Sequence, residues 1–342
     1  MKKNPKTRLI LNLIFLIIIF LLLFLSFKGS LTEIFQGVME TEKHLLALVL
    51  LLGSLYILAE GFNYRLLCRP FRESFTYLDG LFTFTYGAFY RVITFGTGTL
   101  VAEILYLNKR QLKTTQSMGI MTIHMVLYKL GILVFSVVGF IWQYDYLKSH
   151  VAYTIPFMIY GLLATCLVVF GLLFVSLNEV VHQKLVSYLK KWMKKLAWRE
   201  RLALIASKLE AFRVTIHTLL AEPRLMIELV LYNIVRLLPW YSIPYVLLQQ
   251  HPTIHYAQSI ALISMISVLA GMLPSPAGIG SFEFVYLLLM TPLVGKIDAA
   301  SSLLVYRFAT YVFPALIGLL YTLYDKQKEI RSEMKEIQKK NQ

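Results

Sequence analysis

Five charged side chains stand inside otherwise apolar stretches: Glu103, Lys129, Arg236, Glu283 and Arg307. A charge at the centre of a bilayer costs about 2.5–3.5 kcal/mol on insertion scales, so a chain that keeps five of them pairs or uses them. Their order repeats, with Lys129 26 residues after Glu103 and Arg307 24 residues after Glu283. Pairing within each set would simply hold the chain together. Turned toward a cavity, the same groups recognise polar cargo. A guanidinium grips a phosphate through two parallel hydrogen bonds. Arg91 and Arg236 are weaker candidates, since each lies within snorkelling reach of the end of its apolar run.

Other chemistry finds little support. His44, His124, His251 and His255 lack metal-ligand spacing and are expected to pack or sit at interfaces. Cys68 and Cys166 form no framework, so neither metal nor cofactor is expected. Ser275 has neither the G-x-S-x-G context nor a base, so no catalytic residue is assigned.

The carboxylates follow breaks. Pro274, Pro276, Gly278 and Gly280 fall within seven residues before Glu283 and cannot continue a helix. Gly96 and Gly98 precede Glu103 in a milder version. A break at membrane depth leaves backbone groups unpaired, which is tolerated only inside protein or beside a wet cavity. A half-helix starting near Gly280 also aims free N–H groups at any anion there.

Composition says what positions these groups. The chain is 57% hydrophobic and only 15% charged over 342 residues, against about 25% charged in soluble proteins. The net charge of +15 gathers in loops on one side, which is the positive-inside pattern and not a nucleic-acid footprint. Full spans are expected at about Leu9–Phe27, His44–Tyr64, Met118–Trp142, Val151–Leu177, Leu225–Gln249 and Ser301–Tyr324. Asp145, Lys148 and His150 would lie in a short outer loop, and both termini would be cytoplasmic. Between spans lie two interrupted hairpins, 75–107 and 257–290. The expected fold is all-α and polytopic: about six full spans plus two broken or re-entrant hairpins.

One domain over 1–342 is expected, built as an inverted repeat. Residues 44–142 (span, broken hairpin, span) match 225–324 with opposite orientation. Val126-Leu127-Tyr128-Lys129-Leu130 echoes Leu304-Val305-Tyr306-Arg307-Phe308. Segment 178–224 carries ten Lys or Arg against four Glu with apolar residues at helical spacing. It would lie on an anionic inner leaflet with Trp192 and Trp198, or form a solvated helical hairpin. Residues 325–342 read as a cytoplasmic tail helix.

Leu273-Pro274-Ser275-Pro276-Ala277-Gly278-Ile279-Gly280-Ser281-Phe282-Glu283 resembles the signature of the lysylphosphatidylglycerol synthase transmembrane (flippase) family. Tyr306-Arg307-Phe308 with Pro314 and Gly318 resembles its final-span motif. Ile93-Thr94-Phe95-Gly96-Thr97-Gly98 is similar to its first-half motif, with Phe95 and Thr99 where the family has a proline and a second glycine. The resemblance implies a multi-pass protein of the bacterial cytoplasmic membrane that moves polar lipids between leaflets. Its ligand would be an anionic or aminoacylated phospholipid or a glycolipid, with no nucleic acid bound by this chain alone. Arg307, Lys129 and Arg236 would engage phosphate, and Glu103 and Glu283 a cationic group. The family's aminoacyl-transfer domain is expected to be absent, since the chain ends 18 residues after Tyr324. The chain is therefore not expected to be an enzyme by itself, and the alternative is a membrane component acting with a separate lipid-modifying transferase.

Overall fold

The computed structural model describes residues 36, 38–94, 96, 98–192, 196–273 and 280–340. The first expected span, Leu9–Phe27, and the residues Pro274, Pro276 and Gly278 lie outside the described residues, as do the side chains of Trp192 and Trp198. Every element described is helical: α1 Lys43–Cys68, α2 Tyr77–Ile93, α3 Thr99–Lys109, α4 Thr114–Trp142, α5 Tyr144–Val151, α6 Ile155–Leu177, α7 Glu179–Trp192, α8 Leu196–Leu220, α9 Pro223–Val235, α10 Leu238–Leu248, α11 Tyr256–Met272, α12 Ser281–Val294, α13 Lys296–Arg307 and α14 Phe313–Lys340. Five stretches are long and apolar enough to cross a membrane: Lys43–Cys68, Thr114–Trp142, Tyr144–Val175, Pro223–Leu248 and Lys296–Asp325. The fold is that of an all-α multi-pass membrane protein.

Its helices are sorted by face. On α1, Leu48, Leu51, Leu55 and Leu58 are exposed, while Tyr56, Glu60, Asn63 and Tyr64 are buried. The buried set recurs at i, i+4, i+7 and i+8, one face of a helix. A leucine stripe turned to lipid and a polar stripe turned inward is the membrane version of an amphipathic helix. α6 lies at the periphery and exposes Phe157, Leu163, Leu167, Phe170 and Phe174.

The two hairpins are α2–α3 and α11–α12. At about 1.5 Å per residue the 11-residue α3 rises about 17 Å and the 14-residue α12 about 21 Å, short of the roughly 30 Å hydrocarbon core. Neither outgoing arm spans alone. α2 is wedged between α1 and α14, and close backbone contact makes this possible. A Cβ on Gly80 would lie 2.2 Å from the Gly61 carbonyl oxygen, and one on Gly318 1.9 Å from that of Thr85. Small residues bring helices together where no hydrophobic force between them acts in lipid.

Local signals set the helix starts. Thr76 and Asp79 cap α2 reciprocally, the Asp79 N–H donating to Thr76 Oγ1 (3.2 Å) and the Thr76 N–H to Asp79 Oδ2 (3.0 Å). At Gly280, φ is 85°, a conformation that only glycine adopts cheaply. The Gly280 N–H donates to Glu283 Oε2 at 2.6 Å, so Glu283 caps its own helix. The last span carries a π-helical turn, Phe308–Val312, directly after Arg307, in which the Phe313 N–H reaches the Phe308 carbonyl.

Two expectations need correction. Asp145, Lys148 and His150 are not in a loop but in α5, which leads through a 3-10 turn, Ala152–Thr154, into α6. Nor is segment 178–224 a solvated or purely surface element throughout. Ala211, Phe212, Thr215, Ile216 and Leu219 are buried, and this half of α8 packs on α4. Those residues follow the helical period, and the span they cover needs an apolar partner.

Candidate functional site

A cavity of about 650 Å³ opens between the two hairpins. Gly96, Thr99 and Glu103 border it from the first hairpin, and Gly271, Leu273 and Phe282 from the second. α1 adds Tyr56 and Glu60, α4 adds His124, Tyr128 and Lys129, and α10 adds Trp240 and Tyr241. Arg91 and Arg307 complete the charged lining.

Of the five expected charges, Glu103, Lys129 and Arg307 border the cavity. Arg236 and Glu283 stand behind it, each tied to a residue that does border it. Glu283 Oε1 lies 2.6 Å from Arg307 Nε, the pairing expected from their spacing. The guanidinium also lies over the Phe282 ring, 4.3 Å from its centroid, and Phe282 stacks on Tyr306. The ion pair and the ring together hold Arg307 at the cavity edge.

The pairing of Glu103 with Lys129 does not occur. Glu103 fits against Gly87, where a Cβ would come within 2.2 Å of Oε1, and its carboxylate interacts with Tyr64, His124 and Arg91. The missing side chain at Gly87 leaves the space that the Glu103 carboxylate occupies. The Lys129 ammonium instead reaches toward the second hairpin, 4.0 Å from where a Gly271 Cβ would stand.

Glu60 was not among the expected residues, and it organises most of the polar contacts here. It is buried, with 1% of its surface exposed. Arg236 Nη1 pairs with Oε1, and Tyr56 donates its hydroxyl proton to the same oxygen at 2.5 Å. His124 Nε2 lies 3.0 Å from Oε2, and Asn63 Nδ2 reaches it at 3.5 Å. An ionised carboxylate only accepts, so Nε2 is the protonated nitrogen of His124. Arg236 in turn donates from Nε to Asn233 Oδ1 (2.9 Å) and from Nη1 to Tyr56 (3.0 Å), and Asn233 donates to Asn63 Oδ1 (2.9 Å). The Arg236 guanidinium faces the Tyr56 and Tyr128 rings at 5.7 and 5.6 Å, while its Nη2 has no hydrogen-bond partner among the described residues. His124, expected as a packing residue, is thus part of the charged site. The signal for Glu60 was present: a carboxylate deep in the leucine-rich run of α1, on the face opposite Leu48, Leu51, Leu55 and Leu58.

Cavity and backing layer together contain four basic groups, Arg91, Lys129, Arg236 and Arg307, and three carboxyl groups, Glu60, Glu103 and Glu283. Such a site can hold a phosphate and a cation at once. Among the described residues no group of three or more His, Cys, Asp or Glu could hold a metal ion.

Fold and site together define a polytopic membrane protein with interrupted hairpins closing on a charged internal cavity. Residues 10–318 match the family described as lysylphosphatidylglycerol synthase TM region, and the chain belongs to that family. No curated protein matches it.

Proposed function

We propose that the protein is a polar-lipid flippase-like transporter of the bacterial cytoplasmic membrane, which moves an aminoacylated phospholipid or a glycolipid between leaflets. The observation that carries this reading is the 650 Å³ mixed-charge cavity between two hairpins, inside a molecule whose outer face is apolar. A zwitterionic headgroup satisfies both signs of charge there, and acyl chains remain in lipid. Arg307, Lys129 and Arg91 take the phosphate, while Glu103 faces the cationic end. Glu283 and Arg236 serve by holding Arg307 and Glu60 in position.

The two halves, 44–142 and 225–324, are read as inverted repeats, with termini on the cytoplasmic side and the site where the repeats meet. Exchange of two conformations around a fixed site moves cargo without a nucleotide. Leaflet-resolved labelling of fluorescent aminoacylated phospholipid in reconstituted vesicles tests the proposal. Translocation is expected with the wild type and strongly reduced with Arg307→Ala. A wild-type rate from both Arg307→Ala and Glu283→Gln would remove the site assignment.

A second reading follows from the synthase named in the family description. The chain would then be the membrane component of a phosphatidylglycerol lysyltransferase system acting with a separate catalytic chain. Lysyl transfer to phosphatidylglycerol that requires both this chain and a second one, with no leaflet exchange by this chain alone, would favour it.

A further inference from the structure

Glu103 is the cavity carboxylate with no ion-pair partner among the described residues. Glu60 is held by Arg236 and His124, and the Glu283 behind the wall by Arg307. Yet Glu103 is only 5% exposed. Arg91 and His124 are within electrostatic reach of Glu103 but form no ion pair with it. A buried ionised carboxylate that no ion pair holds is unfavourable, so such a group carries a proton or binds a cation. The groups facing it are few. Tyr64 comes from α1, Arg91 from α2 and His124 from α4, while Glu60, Lys129 and Arg307 line the same cavity. From α14, Tyr321 and Asp325 engage Tyr106 and Lys109 at the far end of α3.

We propose that Glu103 is an exchange site at which a proton and a primary ammonium group displace one another. This rests on the reading of the cavity as a headgroup site and adds what couples to the movement. With the cavity free of cargo, Glu103 is a neutral carboxylic acid. An incoming R–NH₃⁺ forms the pair Glu103–COO⁻···⁺H₃N–R and one proton leaves, so atoms and charge balance. His124 stands beside Glu103 with Nε2–H committed to Glu60, which leaves Nδ1 as the ring atom able to accept. Glu60 cannot take that role while four donors hold it.

The chemistry of the wall selects an organic ammonium over a metal ion. A hard cation requires six or more oxygens, whereas Phe84, Met121 and Tyr128 offer apolar and ring surface. Aromatic faces attract an ammonium and leave its carbon chain in apolar contact. One proton released per amine bound ties headgroup movement to proton movement in the opposite direction, so a pH difference across the membrane drives the cargo.

Two measurements test this independently. In the first, n-propylamine binding to the detergent-solubilised protein is followed by calorimetry in two buffers of different ionisation enthalpy at one pH. About one proton released per amine is expected, with none for Glu103→Gln and release retained by Glu103→Asp. Thermal unfolding of each variant reports that it is folded. Absence of amine binding, binding without proton release, or unchanged release from Glu103→Gln overturns the proposal. In the second, vesicles containing aminoacylated phospholipid are given a pH difference. Wild-type translocation is expected to change several-fold, and Glu103→Gln not to respond. Translocation indifferent to the pH difference overturns the exchange and leaves the transporter reading standing. Absence of translocation in every vesicle overturns the transporter reading, and proton release in the calorimeter then decides the exchange site alone.

Discussion

Arg236 shows how much a single buried charge commits. Its guanidinium touches Glu60, Tyr56 and Asn233 and faces two rings, all out of water. Removing one member of such a set strands the other. Arg236→Ala is therefore expected to destabilise the protein by about 3–5 kcal/mol, visible as a lowered midpoint in detergent unfolding. The double replacement Glu60→Met, Arg236→Met should recover much of that loss, since well-packed apolar residues often replace a buried pair at little cost. Gly87 acts on Glu103 by exclusion. A methyl there would meet the carboxylate at 2.2 Å, so Gly87→Ala should abolish headgroup binding while the protein still folds. Ligand titration beside circular dichroism checks both halves. Charges inside apolar runs were legible in the sequence, including Arg307 and its pairing with Glu283. The place of Glu103 was not, because it depends on a missing side chain at Gly87, 16 residues earlier on the neighbouring helix α2. Glu60 was legible in principle, since α1 separates polar from leucine residues with helical period. Its value depends on Arg236, 176 residues later, and no local pattern reports such a distance.

At the level of elements, the hairpins depend on how their second arms begin. α12 starts from a glycine at positive φ and is capped by its own Glu283, which also pairs with Arg307. Glu283→Gln keeps an oxygen for the Gly280 N–H and loses the charge pair. Glu283→Ala loses both. The alanine variant is expected to be less stable than the glutamine variant by about 1 kcal/mol, the usual worth of a helix cap, as measured by thermal unfolding. Faster amide exchange across 281–284 in the alanine variant alone would locate the difference. The α3 arm is secured elsewhere. Lys109 pairs with Asp325 at 2.8 Å, Tyr106 meets Tyr321 at 2.8 Å, and Arg110 donates to both hydroxyls. Those contacts join the first hairpin to α14 and were not legible in the sequence. Proline and glycine reveal a break, but not which distant helix receives the loose end.

For the molecule as a whole, the inverted reading makes a directional prediction. Gln111 ends the first hairpin and Lys296 follows the second, so the two should face opposite sides. In a background without Cys68 and Cys166, Gln111→Cys is expected to react with an impermeant maleimide only in inside-out vesicles. Lys296→Cys should react only in right-side-out ones. Both cysteines reacting from one side would remove the inverted arrangement. Most of the architecture was legible because bilayer thickness and unpaired backbone groups leave few alternatives. The half of α8 that enters the bundle was harder to see, since Ala211–Leu219 reads equally as a surface helix until α4 is beside it.

The π-helical turn at Phe308–Val312 has a mechanical side. It holds one residue more than an α turn would, and one residue corresponds to about 100° of azimuth. The widened turn absorbs that residue, so the residue pattern before and after it is offset by one position, and Arg307 stands at the boundary. Deleting one residue from 308–312 would restore continuous α winding and remove the widened turn that follows Arg307. The span therefore carries its surplus residue as local width, as a seam carries slack.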